Sequence, residues 1–355
     1  MERNKPTENQ KPRLANYELL RICAIIMISL MHGIKDAYGS LEPLNAVAHV
    51  AVNAIGNTGV TLFVLISGFF GLRLRPSKLF WLWSTIFFYS LLIFFVQYGL
   101  QEIPNIGQGE TKALLKHLFT ACTPITSKTW WFCTSYFIVF LLSPLFNKAS
   151  QSMSKRQFQY LLAVMLVLFS LSPTFLIHSV SGAVDGKCTE NMILAYFLGR
   201  YIAIYGMPQV IRAHAGKLLV GCLTIIFIVN FFLFDPLFLS KDHSFFIILA
   251  ALCIFYFFGQ LNIASDRANS MIRYAASYTF PYYLLNVFLI DLLDFQLAGL
   301  ANSLLFLPNF LLVQLEILGI TIVIDLVRRL LTDKMVKKIA DKLDSSKLSR
   351  IIAEI

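Results

Sequence analysis

Along its length the chain alternates long apolar runs with short polar breaks. Runs of about 18 to 25 apolar residues recur, the pattern of helices that cross a bilayer; strands of a membrane barrel would instead alternate from face to face. The breaks predict ten spans, at roughly 16–36, 46–72, 79–99, 130–147, 159–178, 192–206, 216–234, 243–260, 274–294 and 303–331. The sixth is short, so it is expected to be tilted or shielded by its neighbours. The expected fold class is all-α: a polytopic membrane helical bundle of about ten transmembrane helices. It comprises an N-terminal tail (1–15), one integral membrane domain (16–331) and a basic C-terminal tail (332–355).

Composition supports this class. The 355 residues are 57% hydrophobic and only 14% charged, and a soluble domain of that size needs far more charge on its surface. The polar opening MERNKPTENQKPRLA runs into the first apolar stretch with no small-residue cleavage site, so the first span is expected to be retained. Net charge is +10, and its distribution speaks for topology rather than nucleic acid. With the N-terminus inside, 22 of the 30 Lys and Arg fall in inner segments and six in outer loops, while Arg21 and Arg200 lie within spans. The positive-inside rule then predicts both termini cytoplasmic. The six cysteines show no metal spacing and no CxxC. Cys122 and Cys188 fall in loops on the same outer side, which leaves a disulfide between them open.

Two amphipathic stretches lie outside the spans. KMVKKIADKLDSSKLSRIIAEI at the C-terminus has apolar residues at helical spacing among lysines. It reads either as a helix on an anionic membrane surface or as a solvated basic helix. TKALLKHLFTA, in the longest outer loop, is expected to form an interfacial helix over a cavity.

The first span, LLRICAIIMISLMHG, carries Arg21 and His32. Eleven positions of α-helix turn through three revolutions plus about 20°, so both project from one face, about 16 Å apart along the axis. Glu18 is one turn before Arg21, and Asp36 one turn after His32, where it is expected to orient or charge the imidazole. Taken singly, Arg21 fits a side chain snorkelling to headgroups and His32 an interfacial residue. Together they fit a substrate path or a reactive group, and histidine is the side chain best suited to exchange a proton near neutral pH.

The spacing R-x10-H in a first span resembles the signature of the acyltransferase-3 family of integral membrane acyltransferases, which includes polysaccharide O-acetyltransferases. GVTLFVLISGFFGLRLRPSKL (59–79), WWFCTSYFIVFLLSPLFNKASQSMSKRQFQYLL (130–162) and AYFLGRYI (195–202) resemble further family segments, in order. SYTFPYYLLN (277–286) departs from the family pattern: Pro281 stands for a small residue and Asn286 for a histidine. Asparagine can donate and accept hydrogen bonds but does not titrate.

The resemblance implies transfer of an acyl group, usually acetyl, from cytoplasmic acyl-CoA to a hydroxyl of a cell-surface or lipid-linked glycan, in the plasma membrane. It implies acyl-CoA, the glycan and the bilayer as partners, with no permanently bound cofactor, no metal and no nucleic acid. In that scheme His32 and Arg21 are the catalytic pair, with His32 as general base or transient acyl carrier. Arg73, Arg75 and Lys78 bind the acyl-CoA phosphates, unless they are ordinary positive-inside charge. Asp36, Ser67, Trp131, Tyr136, Glu190, Arg200, Tyr201 and Asn286 are candidates for acceptor binding or support. For several of them helix packing, the aromatic belt or capping is the competing explanation. Asp291 and Asp294 either steer the acceptor or are solvated at a span end. The other histidines, including His49, His178 and His243, are expected at interfaces or in loops. The alternative function is a proton-coupled transporter or flippase without acyl chemistry.

Overall fold

The computed structural model describes residues 14–101, 111–176, 185–233, 238–346 and 349. The N-terminal tail through 13, His178 and the last part of the C-terminal tail lie outside the described residues. Every described element is helical: α1 (Ala15–Gly33), α2 (Pro43–Gly56), α3 (Thr58–Phe70), α4 (Pro76–Gly99), α5 (Thr111–Cys122), α6 (Trp131–Ser152), α7 (Lys155–Leu166), α8 (Ser172–Phe175), α9 (Thr189–Tyr205), α10 (Gln209–Phe232), α11 (Phe245–Gln260), α12 (Asp266–Ala276), α13 (Thr279–Leu293) and α14 (Phe306–Asp344). The boundaries follow local chemistry. Pro43 and Pro76 open α2 and α4, where a missing N–H costs nothing. Gly71, at φ +73°, ends α3. Ser154 and Gln157 form a reciprocal capping box at the start of α7. A π-helical stretch, Val167–Leu171, carries the chain into α8 just ahead of Pro173, whose ring and missing N–H break regular α-helical pairing.

Seven helical segments among the described residues are long and apolar enough to cross a membrane by length and composition. The other three expected spans correspond to α9, α11 and α13, which have only 17, 16 and 15 residues. All three are heavily buried. In α9 the run from Leu194 to Ile202 is buried throughout. A helix surrounded by protein is freed from matching the thickness of the hydrocarbon. The expected loop 261–273 instead contains most of α12, a separate polar-faced helix that Ser265 caps through the Ala268 N–H. The helix anticipated in the long outer loop is present as α5, but it packs on α4 through Leu91, Phe94, Leu114 and Ala121.

α1 runs between two cores. On one side Tyr17, Leu20 and Ala24 join Leu62, Leu65, Phe197 and Phe255. On the other, Ile25, Ile28 and Ile34 join Tyr89, Leu285, Phe306 and Phe310. The closest helix contact is between α3 and α9. A Cβ on Gly68 would collide with the Tyr196 carbonyl, and one on Gly199 with the Leu65 carbonyl, so the two backbones meet with nothing between them.

α14 is the longest element. Its 39 residues span about 58 Å, against ~30 Å of hydrocarbon. The helix runs unbroken through 331, where a tail was expected to begin. At its far end Asp344 accepts hydrogen bonds from Ser77 N (3.1 Å) and Ser77 Oγ (2.7 Å), which ties it to the first turn of α4. Cys122 is an exposed free thiol, so the disulfide with Cys188 is not formed.

One buried ionic cluster locks α14 to its neighbours. Asp325 is fully buried and accepts from Arg328 Nε (2.7 Å), Arg329 Nε (2.6 Å) and Tyr89 Oη of α4 (2.8 Å). Arg329 also donates to the Ser277 carbonyl and lies 4.6 Å from the centre of the Tyr278 ring. Breaking a buried pair by removing one partner costs about 3–5 kcal/mol, because the remaining charge has no compensation. Asp325→Ala is therefore expected to lower unfolding stability by about that amount. Tyr89→Phe, which removes one hydrogen bond, should cost about 1 kcal/mol. Unfolding of the detergent-solubilised variants checks both.

Candidate active site

The first and last turns of α1 lie at opposite ends of the bundle, and each carries one member of the polar pair. At the first end Arg21 Nη1 donates to Glu18 Oε1 at 2.7 Å, and Glu18 is buried. The i, i+3 spacing that places Glu18 beneath Arg21 is the one expected from sequence. The field of the guanidinium reaches Tyr136, whose hydroxyl is 3.1 Å from Ser67 Oγ. Tyr17, one turn before Arg21, packs against Phe69 and Phe70, so the end of α3 and the basic segment after it lie at this end too.

Arg200 joins them. Its side chain is buried against the last turn of α3: Nη1 is 3.4 Å from the Gly68 carbonyl, and Nε has no hydrogen-bond partner. Gly71 roofs it, because a Cβ there would come to 2.9 Å of Nη1. Tyr196 and Asn147 brace the same turn. Tyr196 Oη donates to Asn147 Oδ1 (2.8 Å) and accepts from Leu72 N–H (3.2 Å), and Asn147 Nδ2 donates to the Leu72 carbonyl (2.7 Å). Among the described residues no carboxylate pairs with Arg200. Arg73, Arg75 and Lys78 follow directly and are exposed.

At the other end, His32 stands where two cavities meet. One, of about 580 Å³, lies among Trp130, Trp131, Tyr283, Phe288 and Gln97. The second, of about 500 Å³, has His49, Asn53, Asn57, Lys187 and Asp242 in its wall. Among the described residues only His32 and Lys187 border both. Asn286, fully buried on α13, faces the imidazole, while neither its carboxamide atoms nor His32 Nδ1 closes a hydrogen bond within the protein. Trp131 leans on Phe132, which stacks on Tyr136 at 5.7 Å and meets Tyr283 at 5.3 Å. An aromatic ladder thus leads from the His32 cavity toward Ser67 and Arg21.

Three expected neighbours are elsewhere. Asp36 does not meet His32. After Gly33 the chain tightens into a 3-10 turn, Ile34–Ala37, and at about 120° rather than 100° per residue the side chain swings off the imidazole's face. It meets Asp294 instead. The carboxylate whose field reaches His32 is Asp291, which accepts from Lys35 Nζ at 2.7 Å. Tyr201 points away from Arg200, since adjacent helical residues diverge by about 100°. Its hydroxyl accepts from Gln159 Nε2 at 3.0 Å in a separate cleft. Glu190 sits in the first turn of α9 and lines neither His32 cavity.

Several residues of the second cavity escaped the sequence reading. His49 was expected at an interface and instead lines the cavity, with Asn53 Nδ2 donating to its carbonyl at 2.9 Å. Asp242 was passed over as a loop residue. The available signal was the polar pentad SKDHS (240–244) placed directly before a wholly apolar helix. Burial pushes the Asp242 carboxyl up to about 7, partly opposed by Lys187 and reinforced by Asp185.

That shift has a sign. Asp242 holds its proton to about pH 7 when folded and to ~3.9 when unfolded, so its contribution to stability declines as pH rises through that window. Asp242→Asn removes the decline. The variant's melting temperature, relative to the parent, is expected to rise from pH 4 to pH 7 and to level off above it. A flat difference across that range would contradict the burial of the carboxylate.

No curated protein and no solved structure matches the chain. A family model described as acyltransferase domain, Acyl_transf_3, matches residues 14–327, which takes in both ends of α1, the basic segment after α3, the His32 cavities and Asn286. The chain is a membrane acyltransferase of the acyltransferase-3 family.

Proposed function

We propose that the protein transfers an acetyl group from cytoplasmic acetyl-CoA to a hydroxyl of a cell-surface or lipid-linked glycan, across the plasma membrane. In this reading all ten hydrophobic segments span the bilayer, both termini are cytoplasmic, and the Arg21 end faces the cytosol. One arrangement carries the proposal: a histidine where two cavities meet at one end of α1, and a cluster of arginines at the other.

The CoA phosphates dock on Arg73, Arg75 and Lys78, with Arg21 and Arg200 beneath. Guanidinium forks match phosphate oxygens, and a buried guanidinium without a carboxylate is open to an anionic ligand. The charged nucleotide stays at that end while the acyl-bearing arm extends along the α1 face, past Ser67 and Tyr136. The acceptor enters at the other end, with a sugar ring against Trp131. His32 takes the proton from the acceptor hydroxyl as its oxygen attacks the thioester carbonyl. The carbon–sulfur bond breaks, and the leaving thiolate takes that proton from the imidazolium. The products are an O-acetyl ester and CoA thiol, and His32 is neutral again. Asn286 holds the imidazole without competing for the proton.

General acid–base catalysis contributes ~10²–10⁴-fold. His32→Ala is expected to lower the rate of labelled acetyl transfer by that factor in proteoliposomes, with the fold intact. Joint replacement of Arg73 and Arg75 by Ala should raise the KM for acetyl-CoA more than it lowers kcat. Undiminished transfer by His32→Ala would remove the histidine from the reaction. Movement of intact glycan across the membrane with no CoA released would favour a proton-coupled transporter or flippase.

A further inference from the structure

The loop between α10 and α11 is built around polar groups that the protein leaves unsatisfied. Ser240, Asp242, His243 and Ser244 are all buried. Asp242 Oδ1, His243 Nδ1 and Ser244 Oγ have no hydrogen-bond partner among the described residues. Each such atom costs ~1–3 kcal/mol, and native proteins keep few of them. Three in consecutive residues call for a ligand.

The loop is also rigidly held. Asn230 of α10 donates to Ser240 Oγ at 2.8 Å and accepts from Leu239 N–H at 2.9 Å. Asn191 of α9 donates to the Asp242 carbonyl at 2.8 Å. Phe245 N–H donates to Thr174 Oγ1 of α8 at 3.0 Å. The turn at Gly186 presses on His243, leaving no room for a Cβ. These anchors fix the backbone and leave Asp242 Oδ1 without a partner among the described residues, in the wall of the cavity that His32 borders. Of the lysines in this wall, Lys241 pairs with Asp185 at 3.8 Å, and Lys187 acts on Asp242 through its charge.

We propose that Asp242 binds the acceptor: its carboxylate takes a hydrogen bond from a hydroxyl neighbouring the one that His32 deprotonates, so the acceptor is a polyhydroxylated sugar ring and not a lone alcohol. This rests on the acyltransfer reading of His32. Above about pH 7 the Asp242 carboxylate is ionised and only accepts, and a sugar hydroxyl is a donor that matches it. Asn53 and Asn57 border the same cavity with groups that both donate and accept. The cavity, about 500 Å³, lies within the ~300–1,000 Å³ usual for small-molecule sites. Keeping an unpaired buried carboxylate lowers stability, which is the common cost of a functional group.

The test uses the full-length protein in detergent, with two ligands measured separately: surface glycan extracted from the cells that make the protein and de-O-acetylated, and acetyl-CoA. At pH 8, where the carboxylate is ionised, Asp242→Asn is expected to bind the glycan roughly tenfold more weakly, the loss of one charge-assisted hydrogen bond. Its affinity for acetyl-CoA should match the parent's, and the KM for glycan in transfer should rise by a similar factor. A melting temperature at pH 8 no lower than the parent's separates this result from misfolding, and Asp242→Ser serves as a second variant. Equal glycan affinity in parent and variants would overturn the proposal, as would a parent that does not bind the glycan. A parent that binds glycan yet transfers nothing would defeat the acyltransfer reading. The affinities would still decide the role of Asp242.

Discussion

The structure depends on the cost of placing ionisable groups in a membrane helix. A charged side chain at the centre of a lipid-facing helix costs ~2.5–3.5 kcal/mol or more. α1 carries Glu18, Arg21 and His32, and it meets that cost by turning these residues toward protein while Ile26 is left on its exposed side. One flank packs into the core of Tyr17, Leu65 and Phe255, the other into the core of Ile28, Tyr89 and Phe310. Glu18 compensates Arg21, and His32 faces cavities and Asn286 instead of lipid. Much of the rest follows from enclosing this one helix. α9, α11 and α13 are short because they are interior, and α3 and α9 meet at glycine so that the enclosure closes tightly.

Much of this was legible in sequence. Apolar runs marked the helices, and helical arithmetic put Arg21 and His32 on one face with Glu18 under Arg21. What stayed hidden depended on departures from regular helix or on distant partners. Asp36 was misplaced because a 3-10 turn after Gly33 changes the rotation per residue. Tyr201 was grouped with Arg200 by adjacency, although neighbours on a helix face apart. The C-terminal tail was divided at 331 because apolarity fades there, yet helix continues to Asp344, where Ser77 holds its end. The Asp325 cluster joins α4 to α14 over 236 positions, beyond any local pattern. For Asp242 the sequence shows only a polar pentad before an apolar helix; that its Oδ1 lacks a partner among the described residues is visible only in the fold.

The two cavities at His32 differ in chemistry. One carries the aromatic rings of Trp130, Trp131, Tyr283 and Phe288 beside Gln97 and Asp291, the other His49, the carboxamides of Asn53 and Asn57, and the carboxylates of Asp185 and Asp242. A catalytic group at such a junction can hold a ring by its face on one side and by its hydroxyls on the other. The opposite end of α1 gathers cations, with Glu18 on Arg21 and the Gly68 carbonyl on Arg200. This asymmetry fits a reaction whose two substrates differ in charge and approach from opposite sides, with a single helix face connecting them.

The central claim is that α1 joins a donor site at its first turns to an acceptor site at its last. A cryo-electron microscopy map of the full chain with a non-hydrolysable thioether analogue of acetyl-CoA tests it most directly. The account predicts phosphate density against Arg73, Arg75 and Arg200, with the arm running along the α1 face toward His32. Nucleotide density in either cavity at the His32 end, or an arm leaving the bundle toward lipid, would contradict it.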